Sequence, residues 1–194
     1  DQNGKEIIDW CNYLNTINTP GGVAVNRKYY FREGITYSAS GSKGVSFRHL
    51  PSNNIFDVGG SRIFLESEGI TLQYCLALLN TKLIFYLADC LNPTVNIQVG
   101  DLKKIPFIKP STELEIEITD LASQNIEIIK HLCSYRVIET NFKNSPLTAF
   151  SEPTMRDRLR AYLNYENTSI SSVLINEAII NQLIFEVYNL SQED

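Results

Sequence analysis

The chain has 194 residues and a mass of 22.0 kDa, with 43% hydrophobic and 20% charged residues. That is enough for one domain, or one domain with a helical appendage, and too apolar for global disorder. A net charge of −5 by itself argues against nucleic acid, but the charge is uneven. Residues 1–110 hold 11 Lys+Arg against 9 Asp+Glu, residues 111–194 hold 6 against 13, and the stretch from Gly22 to Arg62 holds 6 against 2. A local basic patch on an acidic whole suits a polyanion-binding face, because binding follows the local field.

The sequence shows no run that reads as a membrane span, since residues 76–91 are interrupted by Asn80, Lys82 and Asp89. The opening DQNGKEIIDW lacks the basic start and apolar core of a secretory signal. The expected location is therefore the cytoplasm, and the missing initiator Met suggests a piece of something longer. Cys11, Cys75, Cys90 and Cys133 form no CxxC pair, and only His49 and His131 could assist them. Buried free thiols are expected rather than a zinc site.

In chain order, residues 5–14 place Ile7, Ile8, Cys11 and Leu14 on one helical face, and Pro20-Gly21-Gly22 ends that helix. Residues 29–31, 35–38, 45–50, 55–58 and 62–65 read as short strands rich in β-branched and aromatic residues. From Thr71 the apolar spacing changes to three and four, which predicts two consecutive helices broken near Asn80-Thr81 and ended by Pro93. Residues 95–99 alternate like a strand. Gly100-Asp101 opens one helical turn, with Asp101 as its N-cap. Residues 105–108 leave as an extended segment. A long helix then starts at Ser111-Thr112 and runs to about Asn141, its early Glu113, Glu115 and Glu117 complementing the helix dipole. Two further helices are expected over 153–164 and 172–188.

No catalytic constellation stands out. Gly59-Gly60 and Gly41-x-x-Gly44 fit turns needing positive φ and match neither GxxxxGK[ST] nor GxGxxG. His49 has no identifiable Cys, Ser or Asp partner for catalysis, and is expected to pair locally or face solvent. The stretch Arg27-Lys28-Tyr29-Tyr30-Phe31-Arg32 interleaves cations with aromatics. Arg and Lys there can neutralise phosphates, Arg can fork onto guanine, and the hydroxyls of Thr36, Tyr37, Ser38, Ser40 and Ser42 can donate to phosphates. The competing reading is a half-buried edge strand, which composition alone favours.

Several stretches resemble one family. They are YFREGITYS at 30–38, Phe47-Arg48, IFDVGGS at 55–61, LALLNTKL at 76–83, NPTVNIQVGDL at 92–102 and Ile105-Pro106-Phe107. Together they resemble the target-recognition region of large adenine-specific DNA methyltransferases, with those of the BREX phage-defence system nearest in pattern. Related patterns occur in type IIG enzymes and type I specificity subunits, where a similar Ile-Pro exit feeds a long helix. The resemblance is strong over 27–108 and loose over 110–190, with Asn189 standing where Gly is usual. The family's Gly-rich methyl-donor motif and [N/D]PP[YFW] motif are missing, because Asn92-Pro93 is followed by Thr94.

The resulting expectation is an α+β fold: a small β-rich target-recognition domain over 1–110 and an all-helical region over 111–194. The resemblance implies double-stranded DNA recognition serving adenine N6 methylation, with S-adenosylmethionine and the chemistry in a catalytic domain outside this chain. Candidate DNA-binding residues are Arg27, Lys28, Tyr30, Arg32, Tyr37, Ser40, Ser42, Lys43, Arg48 and Arg62; no residue is assigned to catalysis or to a metal. Phe56, Val58, Ile97 and Val99 are expected in the core. The alternative reading is a protein-interaction module bound by partner subunits of the defence system or by a phage inhibitor; a stand-alone enzyme is the third. No membrane partner is expected.

Overall fold

The computed structural model describes residues 27–38, 45–54, 60–66, 69–94, 98–139 and 141–191. The helix expected over 5–14, the strand over 55–58, most of the strand over 95–99, and Phe56, Val58 and Ile97 lie outside them. Three antiparallel strands, β1 (Gly34–Ser38), β2 (Phe47–Leu50) and β3 (Gly60–Ile63), form a sheet in the order β2-β1-β3. Ile35 pairs with His49 and Ile63, and Thr36 pairs with Arg48 and Arg62. Because strand residues alternate between faces, Ile35, Tyr37 and Phe47 share the buried face, while Arg48, Thr36 and Arg62 form a row across the other. Gly34 is fixed by close packing: a Cβ there would lie 2.7 Å from the Ile63 carbonyl oxygen and 3.0 Å from the Phe64 ring.

The strand expected over 29–31 is not formed. Residues Arg27–Tyr29 make a single 3-10 turn, and Phe31 enters the left-handed region at φ 59° with its N–H donating to the Asn54 carbonyl at 3.1 Å. The chain turns there, so residues 29–31 cannot extend into a ladder.

Two helices follow, α1 (Leu72–Leu79) and α2 (Lys82–Leu91), bent by 63° at the break the sequence predicts. Thr71 caps α1 by accepting from the Tyr74 N–H, and Thr81 caps α2 by accepting from the Ile84 N–H. Tyr74 to Leu78 are buried one after another, so α1 is covered on all sides: the sheet packs on one, the C-terminal helices on another. The next turn, α3 (Val99–Leu102), has Gln98 and not Asp101 as its N-cap. Asp101 sits three residues into the motif and accepts the Gln98 N–H at 3.2 Å. Val99, expected in the core, opens this turn and is 53% exposed.

The C-terminal part is α4 (Thr112–Cys133), the short α5 (Pro146–Ala149) and α6 (Met155–Val187). The helix expected to reach Asn141 stops at Cys133, with Ser134 capping it. The two helices expected over 153–164 and 172–188 are one. Residues 165–171 are weak helix formers but include no Gly or Pro. They stay helical because Tyr165 packs edge-on against His131 of α4, and Tyr162 and Ser172 bond one turn away, to Glu166 and to the Thr168 carbonyl. Asn125–Asn176 and His131–Tyr165 contacts make α4 and α6 an antiparallel pair. At the end of α6, Asn189 adopts φ 53°, its N–H donates to the Glu186 carbonyl, and the Leu190 N–H donates to the Phe185 carbonyl at 2.9 Å. This is the Schellman arrangement, whose left-handed position favours Gly and tolerates Asn.

The molecule is therefore α+β with an all-helical C-terminal region. Its core runs without interruption from Ile35 and Phe47 through α1 to Ile118, Ala122, Ile180 and Ile184. Contrary to the expectation from uninterrupted apolar runs, α6 is by length and composition apolar enough to cross a bilayer, and so is the bent α1–α2 pair. α6 packs along α4 through Ile180, Ile184 and Val187, and 22% of its apolar stretch is buried.

Candidate nucleic-acid interface

The 3-10 turn and the end of β3 build a cation–aromatic cluster. The Tyr29 and Phe64 rings stack with centroids 5.0 Å apart and planes 15° from parallel. The Arg32 guanidinium lies 5.4 Å from the Tyr29 centroid and 5.7 Å from that of Phe64, and Lys28 Nζ lies 4.7 Å from the Tyr29 ring. The Tyr29 hydroxyl donates to Glu66 at 2.8 Å, which fixes the ring. An aromatic platform restrains Arg32 while leaving its N–H fork to meet oxygen acceptors.

The cluster adjoins the cationic row. Phe64 follows Arg62 by two residues, and its ring lies over Gly34 on the face shared with Thr36. By strand register Arg48 and Arg62 flank Thr36, but Arg62 is only half-exposed, its Nε is buried and it also lines a pocket shared with Tyr37. Arg48 is exposed, and its guanidinium donates to Ser46 at 2.9 Å. Neighbouring strands lie roughly 4.8 Å apart, so the Arg48 and Arg62 backbones, two strands apart, are separated by about 10 Å. On β2 the neighbouring His49, paired with Ile35, has its Nε2 2.6 Å from a Glu33 carboxylate oxygen.

The remaining candidates divide. Tyr30 is half-buried beside the cluster, and Arg27 contributes backbone to the 3-10 turn. Tyr37 departs from the expectation that its hydroxyl meets phosphate. Its side chain lies on the opposite face of β1, is 1% exposed, and its ring packs 5.4 Å from that of Phe47. An odd-numbered position on β1 points inward, whatever its residue type. Ser40, Ser42 and Lys43 lie outside the described residues. Sequence reasoning missed Tyr29 and Phe64. Tyr29 carried a signal, standing inside the basic–aromatic run; Phe64 carried none, because its contact with Tyr29 spans 35 positions.

Asn92, whose Asn-Pro pair echoes the start of the catalytic motif, is used structurally: its amide donates to Asp101 at 2.7 Å and its oxygen accepts from the Thr94 N–H and hydroxyl. The Asn92 hydrogen bond, then the Gln98 N–H, hold the Asp101 carboxyl below its ordinary value. Among the described residues no three His, Cys, Asp or Glu side chains converge as metal ligands.

No protein-family model matches the chain. The chain is similar to an adenine-specific methyltransferase, BrxX, of Escherichia coli O9:H4 (strain HS), with 30% identity over 170 residues, 87% of this chain and 14% of that protein. It is also similar to an adenine-specific methyltransferase, PglX, of Lacticaseibacillus casei (strain Zhang), with 27% identity over 200 residues, 96% of this chain and 16% of that protein. The chain is thus related to a segment of these methyltransferases and spans about one seventh of their length.

Proposed function

We propose that this chain is the double-stranded DNA recognition segment of an adenine-N6 DNA methyltransferase in a BREX-type phage-defence or restriction–modification system. The observation that carries this reading is the Arg32 guanidinium held over Tyr29 and Phe64 beside the Arg48–Thr36–Arg62 row. Phosphate contacts from Arg27, Lys28 and Arg32 set the register, and the loops near Ser38 to Lys43 and Gly59 to Arg62 reach base edges. Base flipping and methyl transfer from S-adenosylmethionine belong to the catalytic domain elsewhere in such an enzyme, in the cytoplasm.

The test is a DNA titration across salt concentration. Replacing Arg27, Lys28 and Arg32 with Ala weakens binding and flattens the log–log salt slope by about 0.9 for each phosphate that is no longer neutralised. An unchanged slope overturns the assignment.

A second reading, a protein-interaction module, is favoured by Met155, Leu159, Leu163, Ile170 and Leu174, which recur at helical spacing along α6 and are exposed. In this reading the acidic helical half docks on the catalytic domain, on another defence subunit or on a phage inhibitor. DNA affinity that does not respond to salt favours it over the first.

A further inference from the structure

A pocket of about 490 Å³ opens between the buried face of the sheet, α1 and the segment from α3 to Phe107. Its volume lies within the roughly 300–1,000 Å³ typical of small-molecule sites. The walls are aliphatic and aromatic, with Leu78, Ile105 and Phe107 prominent. Three polar side chains break this lining, those of Tyr37, Arg62 and Lys103. Tyr37 reaches it with a buried hydroxyl that has no hydrogen-bond partner among the described residues. Lys103 borders it as an exposed cation, and the lining contains no Asp or Glu among the described residues.

An ordered water filling such a pocket needs about two to four polar partners, which aliphatic walls do not supply. A buried hydroxyl without a partner is a group to be explained. An apolar molecule bearing one anionic head answers these features: its chain covers the walls, an oxygen accepts from Tyr37, and its charge meets the cations Arg62 and Lys103.

We propose that this pocket binds a single-headed amphiphile of the medium-chain carboxylate class. The site lies against the buried side of the sheet and shares Arg62 with the cationic row, and its test needs no DNA.

The experiment titrates the 194-residue chain with 8-anilinonaphthalene-1-sulfonate and then displaces it with decanoate or with decanol, following fluorescence. The expected result is saturable one-to-one binding displaced by decanoate. Val99→Trp, which places a large ring on an exposed lining position, abolishes it. Lys103→Glu weakens decanoate at least ten-fold while leaving decanol within two-fold, and Tyr37→Phe weakens decanoate several-fold. Circular dichroism checks folding, and if Val99→Trp does not fold, the exposed-site Lys103→Glu comparison decides alone. Non-saturable binding, binding that persists in folded Val99→Trp, or equal effects of Lys103→Glu on decanoate and decanol overturn the proposal.

Discussion

The Asn80 carboxamide makes a two-way hydrogen bond with the backbone of Phe47. The Phe47 N–H donates to Asn80 Oδ1 at 3.1 Å, and Asn80 Nδ2 donates to the Phe47 carbonyl at 3.0 Å. The same Nδ2 donates to the Leu76 carbonyl at 3.0 Å. The side chain at the helix break thus stands in for a further strand on the open edge of β2, locking the α1–α2 bend to the sheet. Asn80→Ala leaves these part-buried backbone groups without their partner and is expected to destabilise by about 2–3 kcal/mol in urea unfolding. Asn80→Asp keeps the acceptor but sets a carboxylate against two carbonyls, so it should be worse than Ala; an Asp protein as stable as wild type would contradict this geometry.

The cation–aromatic cluster predicts a separation of charge from stacking. Arg32→Lys keeps the charge and gives up the planar guanidinium, so the salt slope should hold while DNA affinity falls. Phe64→Ala removes one of the two rings and should lower affinity about two- to five-fold, the equivalent of about 0.5–1 kcal/mol for an exposed cation–π contact. Fluorescence anisotropy on a duplex at two salt concentrations reads both. An Arg32→Lys protein that binds as tightly as wild type at both salts would remove the platform from the mechanism.

Two isoleucines on one helix give a contrast in stability. Ile118 of α4 is 0% exposed and Ile116 is 57% exposed. Ile118→Ala should cost about 2–5 kcal/mol, through reduced transfer energy and a residual cavity. Ile116→Ala should stay within about 0.5 kcal/mol. Thermal or chemical unfolding of the two proteins side by side checks the helical register of α4.

The Asp101 carboxyl is held below its ordinary value by Asn92 and the Gln98 N–H. A group depressed in the folded state contributes stability above its unfolded pKa and loses it as pH falls through the folded one. Wild type should therefore exceed Asp101→Asn in stability at neutral pH, with the difference shrinking below the ordinary carboxylate value of 3.8. Unfolding midpoints measured from pH 7 to pH 2 follow this; a pH-independent gap would mean that the charge on Asp101 is irrelevant to α3.

Thiol reactivity should follow burial. Burial, then the nearby Glu115 charge, push the Cys75 thiol up to about 11, whereas Cys90 is exposed. At pH 8 only about one Cys75 in a thousand is thiolate, so iodoacetamide should label Cys90 well before Cys75 in peptide mass mapping. Equal rates would show that the packing around α1 opens on the timescale of labelling.

Much of the local structure was legible from pattern. Leu72, Cys75, Leu76, Leu79 and Leu83 recur at helical spacing, and Asn80-Thr81 and Pro93 supply stop signals readable from residue type. The misreadings fell where a distant partner decides. Residues 29–31 have β-forming side chains, but Tyr29 stacks on Phe64 and Phe31 turns toward Asn54. Residues 165–171 have poor intrinsic helicity, but α4 lies alongside to hold them. The candidate site divided in the same way: the basic–aromatic run announced Lys28 and Arg32, whereas nothing in the sequence says on which face of β1 Tyr37 falls.

By itself the sequence determined the α+β class, the position of the α1–α2 break, the presence of a single helical turn near Gly100-Asp101, and the cationic character of the segment from Gly22 to Arg62. These depend on apolar period, caps and breakers, and local composition, all properties of neighbouring residues. The tertiary structure alone decided the strand register that aligns Arg48, Thr36 and Arg62, the stacking of Tyr29 on Phe64 under Arg32, and the pocket that leaves the Tyr37 hydroxyl buried. Each depends on pairing across tens of residues, where a shift of one position sends every side chain to the other face.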